Sequence, residues 1–146
     1  MKKILFILNP ETSFKDYIVP IISNKGSLYD SFERVDSIDW AIDLMRKNPK
    51  DYSLIIMEVS MRSLGIFSLD ETMRNRITGI VLFEAEFYKL EIPIIFWSKS
   101  RDQQKYVSML KRRRRYKDHN LSFLHKTKEE DDYLNLLRKI RKVFEE

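Results

Sequence analysis

Four short runs of large apolar residues divide the chain, and each run predicts a buried strand. A fifth, weaker strand is predicted beside them. Because the four main runs are apolar throughout instead of alternating with polar residues, both faces of the sheet are expected to be covered. The predicted strands are Lys3 to Leu8, Phe32 to Asp36, Leu54 to Met57, Ile92 to Trp97 and Leu121 to Leu124.

Between these runs, apolar residues recur at the spacing of helices. Strand and helix alternate five times, which predicts a single α/β domain over residues 1–146, built on a doubly wound five-stranded parallel sheet. The helical patterns lie at Phe14 to Ile22, Ile38 to Met45, Glu71 to Leu90, Asp102 to Arg113 and Glu129 to Phe144.

Composition removes several classes of function. The 146 residues include no cysteine, which excludes disulfides and thiolate metal sites, and only two histidines. The apolar run after Lys3 is too short for a signal peptide or a membrane span. We therefore expect a soluble, cytoplasmic protein that has no membrane partner.

The net charge of +5 is concentrated in one stretch of the sequence. Lys111, Arg112, Arg113, Arg114 and Arg115 follow one another at the end of the helix predicted from Asp102. Cations at a helix C-terminus are favoured by the helix dipole, but this run exceeds what capping needs. It is interpreted as a partner-binding surface, and flanking tyrosines leave nucleic acid open as the partner.

Glu58 ends the most apolar strand and is the best candidate for a functional side chain. Open α/β sheets place their chemistry beyond the carboxyl ends of the strands. No nucleophile and base pair is visible near Glu58, and the three glycines form no phosphate loop. The sequence therefore argues against an enzyme.

The order of these elements, with Glu58 after the third strand, Ser98 ending the fourth and Lys126 following the fifth, resembles the receiver domain of two-component response regulators. The resemblance implies a flavodoxin-like fold. Glu58 would stand at the place of the phosphoacceptor aspartate. Ser98 and Phe123 would be the switch residues, and Lys126 would be the pocket lysine.

The departures from the receiver pattern are equally informative. Leu8 and Asn9 replace the acidic pair that holds Mg²⁺ in the family, so neither a metal nor another cofactor is expected. Glu58 is one methylene longer than aspartate, and Thr127 replaces a proline that is usually cis. An insert of about 61–76 is expected to cover or flank the site.

These features predict a pseudo-receiver: a non-catalytic module of signal transduction that binds another protein through its fourth-helix to fifth-helix face. Glu58 beside Lys126 is interpreted either as a permanent substitute for the phosphorylated state or as a relict ion pair that only stabilises the fold. The alternatives are a phosphorylatable atypical receiver and a nucleic-acid-binding regulatory protein that uses the Lys111 to Arg115 run.

Overall fold

The computed structural model describes residues 2–12, 31–126 and 129–145, and these contain one five-stranded, all-parallel sheet. The strand order β2-β1-β3-β4-β5 is that of flavodoxin-like proteins, so the predicted fold class is confirmed. All five predicted strands are present, with small shifts at their ends. They are β1 (Lys3–Ile7), β2 (Ser31–Val35), β3 (Leu54–Glu58), β4 (Ile94–Ser98) and β5 (Leu121–His125).

Helices cover both faces of the sheet. Successive residues of a strand point to opposite faces, so β1 contributes Leu5 and Ile7 to one core and Ile4 and Phe6 to the other. The first core lies under α1 (Ile38–Lys47), α2 (Thr78–Ala85) and α3 (Gln104–Arg112), and the second lies under α4 (Glu129–Glu145). None of the helices in the described ranges is both long and apolar enough to cross a membrane.

The parallel register brings the carboxyl ends of four strands to one edge. Ile7 pairs with Met57, Glu58 pairs with Trp97, and Ser98 pairs with His125. The residues that end or directly follow β1, β3, β4 and β5 therefore meet at this edge. This arrangement places Glu58, Ser98 and Lys126 at the same edge of the sheet.

The helix predicted from Glu71 to Leu90 is shorter than expected. Helix α2 begins only at Thr78, and a separate 3₁₀ turn follows at Phe87–Lys89. Met73, Arg74 and Asn75 have φ angles of 51°, 56° and 68°, which is the left-handed region and cannot continue a right-handed helix. The helix predicted at Phe14 to Ile22 lies outside the described residues, as does Thr127.

Helix α2 starts in close contact with the end of β3. The backbone N–H of Gly79 donates to the carbonyl oxygen of Val59 at 2.8 Å. A Cβ atom on Gly79 would lie 2.6 Å from the carbonyl oxygen of Glu58, so only glycine fits. This contact fixes the backbone that carries the Glu58 side chain.

Candidate functional site

The candidate site is a cleft of about 260 Å³ at the carboxyl edge of the sheet. Glu58 and Ser98 line it, and Lys126 lies buried against Glu58. The structure therefore brings three of the predicted pocket residues to one place. The other residues that line the cleft are Asn9, Glu11, Thr12, Ser60, Trp97, Lys99, Ser100 and Gln103.

The Glu58 carboxylate is hydrogen-bonded by protein groups at both oxygens. Oε1 accepts from the backbone N–H of Asn9 at 3.0 Å and from the Thr12 hydroxyl. Oε2 accepts from Nδ2 of Asn9 at 2.9 Å and faces Nζ of Lys126 at 3.1 Å. An ionised carboxylate offers about four acceptor positions, and here four donors take them.

Lys126 supplies the positive charge that balances this carboxylate. Its side chain is only 3% exposed, and that of Glu58 is 9% exposed. Nζ of Lys126 also donates to Oγ1 of Thr12 at 3.3 Å and lies 4.2 Å from the ring centroid of Trp97. A desolvated ammonium of this kind is stabilised by its ion pair and by the aromatic face together.

Asn9 has a larger role than the sequence suggested. In addition to its two bonds with Glu58, its Nδ2 donates to the carbonyl oxygen of Ser60 at 2.7 Å. Its own carbonyl oxygen accepts from Arg34 at 2.8 Å. The amide thus joins the end of β1 to the end of β3, while the preceding Leu8 is fully buried in the core.

The donor set does not suit a magnesium ion. Mg²⁺ requires several oxygen ligands in an octahedral shell, and the donors nearest Glu58 are an amide N–H₂, a hydroxyl and an ammonium. Glu11, which could in principle replace a missing acid, is turned to Nη2 of Arg62 at 3.6 Å. Within the described ranges, His, Asp and Glu side chains form no group of three that could hold a metal.

Ser98 lies at the edge of the site but forms its hydrogen bonds elsewhere. Its hydroxyl donates to Oε1 of Gln103, and its oxygen accepts from the backbone N–H of Ser100 at 3.1 Å. Nε2 of Gln103 then donates to the carbonyl oxygen of Arg76 at 2.6 Å. Ser98 is therefore tied to the insert, and no hydrogen bond in the described part of the chain joins it to Glu58.

Phe123 lies in β5, opposite Phe96 of β4. It is partly buried and packs against the core beneath α1, α2 and α3. Its ring is therefore part of the core packing below the site. Among the residues that complete the site, the sequence analysis missed Thr12 and Gln103.

The predicted basic surface is divided in the structure. Arg113 forms an ion pair with Glu84 of α2, and the guanidinium of Arg115 lies 5.2 Å from the ring centroid of Tyr88. Lys111, Arg112 and Arg114 are exposed, and none of them has an ion pair within the described residues. Three of the five cations are thus available to a partner.

Comparisons with known proteins define the fold alone. Neither a scan against protein-family models nor a search of curated proteins gives a match. Among solved structures, the chain is similar to part of the lysine decarboxylase LdcF of Francisella novicida, with 14% sequence identity and a TM-score of 0.54. The match covers 98% of this chain and 17% of that chain, which places it in a common α/β architecture and shows no shared activity.

Proposed function

We propose that this protein is a non-catalytic, receiver-like interaction module of a signalling pathway. The observation that supports the proposal is the Glu58 carboxylate, whose acceptor positions are occupied by Asn9, Thr12 and Lys126. The module would present one fixed conformation to its partner. Its state would not depend on a phosphoryl group.

Phosphoryl transfer to a carboxylate depends on an oxygen that can attack in line and on a cation that neutralises the developing charge. Attack by either oxygen of Glu58 would require the loss of at least one hydrogen bond at a residue that is only 7% exposed as a whole. Lys126 already neutralises the carboxylate in the resting state. Both features favour a fixed interaction module over a phosphorylatable receiver.

The proposal is tested by titrating the protein with Mg²⁺ and then beryllofluoride while amide chemical shifts are followed by NMR. We expect no saturable shift at Glu58, Ser98 or Lys126 at millimolar concentrations of either reagent. Saturable shifts at these residues would overturn the proposal and favour a phosphorylatable receiver. A phosphorylatable receiver titrated under the same conditions confirms that the reagents are active.

A second candidate function, nucleic-acid binding, is favoured by the exposed cations Lys111, Arg112 and Arg114. Binding of a duplex oligonucleotide, followed by fluorescence anisotropy, should then weaken steeply as salt is raised. Removing one phosphate-contacting cation, as in Arg112→Ala, should lower the slope of log K against log salt by about one. Lys47→Ala in α1 is the matched control, and equal slopes for both variants would reject this function.

A further inference from the structure

Exposed apolar side chains are concentrated on the insert, residues 61–76. Seven large hydrophobic residues of the described chain are exposed, and four of them lie in this segment. Leu64 and Leu69 are 58% and 57% exposed, and Ile66 and Met73 accompany them. Single exposed hydrophobic residues scattered over a surface are normal. Several of them on one surface segment are typical of an interaction site.

Two of these exposed residues, Leu64 and Leu69, line a shallow groove of about 670 Å³. Leu64, Phe67 and Leu69 form its apolar walls, and Arg62 lies at its border. The remaining lining is contributed by small or polar residues. The groove therefore offers apolar contact area that the chain itself leaves uncovered within the described residues.

The insert is held in this conformation by specific hydrogen bonds. Oδ1 of Asn75 accepts from the backbone N–H of Ser63 at 3.0 Å and from its hydroxyl at 2.8 Å. The backbone N–H of Asn75 donates to Oγ1 of the buried Thr72 at 3.2 Å. These contacts maintain the left-handed turn at Met73 and Arg74, which non-glycine residues adopt only when the surroundings require it.

Helix α3 continues the apolar surface. The hydroxyl of Tyr106 donates to Sδ of Met73 at 3.2 Å, which joins the insert to the helix. Met109 lies one turn beyond Tyr106 on α3 and is 50% exposed. The insert and the outer face of α3 meet at this contact, and together they are here called the docking surface.

Three cations border the docking surface, and two exposed carboxylates, Asp70 and Glu71, lie in the same insert. Lys105 and Arg112 lie four residues before and three residues after Met109, and therefore flank it on the same helix face. Arg74 is exposed on the left-handed turn. Within the described residues none of these three cations forms an ion pair, so the charge is available to a partner.

We infer that the docking surface binds an acidic amphipathic helix of a partner protein. Leucine-like side chains spaced along one stripe of such a helix would enter the groove, and its carboxylates would face Lys105, Arg112 and Arg74. Exposed leucine and methionine side chains suit an apolar peptide better than nucleic acid, whose bases stack on aromatic rings. This inference rests on the interaction module proposed above and gives it a class of partner.

The probe for the first test is a synthetic amphipathic peptide of leucine and glutamate, compared with a shuffled peptide of the same composition. The amphipathic peptide should shift the amide signals of the insert and α3 in a saturable way. Leu69→Ser should weaken its binding about tenfold, since it removes an apolar anchor. Arg112→Gln should weaken binding mainly at low salt. Leu134→Ser, at an exposed apolar position of α4, is the matched control and should leave binding unchanged.

Equal binding of the shuffled peptide, or unchanged affinity after Leu69→Ser, would overturn the inference. The inference would also be overturned if a duplex oligonucleotide shifted the amide signals of α3 and the peptide did not. The magnesium and beryllofluoride titration separates the two proposals. Saturable shifts in that titration would reject the proposed function. Absence of such shifts together with absence of peptide binding would reject only the docking surface.

Discussion

Replacement of Lys126 by methionine is the most direct test of whether Lys126 balances the buried charge of Glu58. The substitution Lys126→Met keeps most of the aliphatic stem of the side chain and removes its charge. Glu58 would keep its hydrogen bonds to Asn9 and Thr12 but would become an unbalanced charge in a buried site. We therefore expect a large loss of stability with little change in packing volume.

The magnitude follows from the burial of the pair. Removal of one partner from a buried ion pair costs about 3–5 kcal/mol, whereas an exposed pair contributes about 0–1 kcal/mol. The side chains of Lys126 and Glu58 are 3% and 9% exposed, so the buried figure applies. The remaining donors to Glu58 compensate in part, which favours the lower end, about 3 kcal/mol of unfolding free energy.

Urea unfolding at neutral pH, followed by circular dichroism, measures this loss. With an m value of about 2 kcal/mol per molar urea, the midpoint should fall by about 1.5 M. The double variant Glu58→Gln with Lys126→Met should regain most of the loss, because it removes both charges. Lys47→Met, which breaks an exposed pair with Asp43, should cost less than about 0.5 kcal/mol.

A loss below about 1 kcal/mol for Lys126→Met would refute this reasoning, because it would give the pair the energy of a solvated ion pair. Failure of the double variant to recover stability would also refute it. In that case the lysine would act through packing against Trp97 and not through the carboxylate.

Three further substitutions test other contacts. Asn9→Asp should place a second carboxylate beside Glu58 and lower the free energy of unfolding by about 1–3 kcal/mol. Added Mg²⁺ should restore the stability of this variant alone, as measured by thermal unfolding. Gly79→Ala should cost about 3 kcal/mol in urea unfolding, because its Cβ would meet the Glu58 carbonyl oxygen. Burial is the main cause that raises the pKa of Tyr52, and the neighbouring Glu33 carboxylate is the second. The neutral phenol of Tyr52 should therefore contribute fully to stability below about pH 10, and this contribution should be lost as the pH rises further. Tyr52→Phe should therefore reduce the alkaline loss of stability in urea unfolding.

Each of these predictions has a clear contrary outcome. Magnesium stabilisation of the unmodified protein would show that its own donors bind the ion. Gly65→Ala is the control for Gly79→Ala, because Gly65 has open space around it and a φ of 76°, so alanine there should cost only about 1 kcal/mol. Equal alkaline losses in the unmodified protein and Tyr52→Phe would assign the pH dependence to other tyrosines.

The fold and the meeting of Glu58 with Lys126 could be predicted from the sequence because both follow from the order of the strands. Apolar runs identify buried strands, and parallel pairing brings their carboxyl ends to one edge. Asn9 could be placed at the same edge by this reasoning. Its two hydrogen bonds to Glu58 could not, because they depend on the path of the backbone after β1.

Other features depend on contacts that leave no local pattern. Ser98 reaches Arg76 through Gln103, and a link of this kind between separate loops has no periodicity in the sequence. The left-handed turn at Met73 contains no glycine, so no residue type there signals the end of the helical pattern. The predicted start of this helix at Glu71 was wrong for that reason, since the helix begins at Thr78.

Lys126 makes the charge balance of the site a permanent property of the chain. A metal ion or a phosphoryl group occupies its site according to concentration and affinity, and its occupancy changes when the supply changes. The ammonium of Lys126 is covalently attached to the chain and lies 3.1 Å from Glu58, so it is independent of any such supply. Chelators and changes in phosphate donors should leave this charge balance untouched. A signal that alters it would have to act on the chain itself.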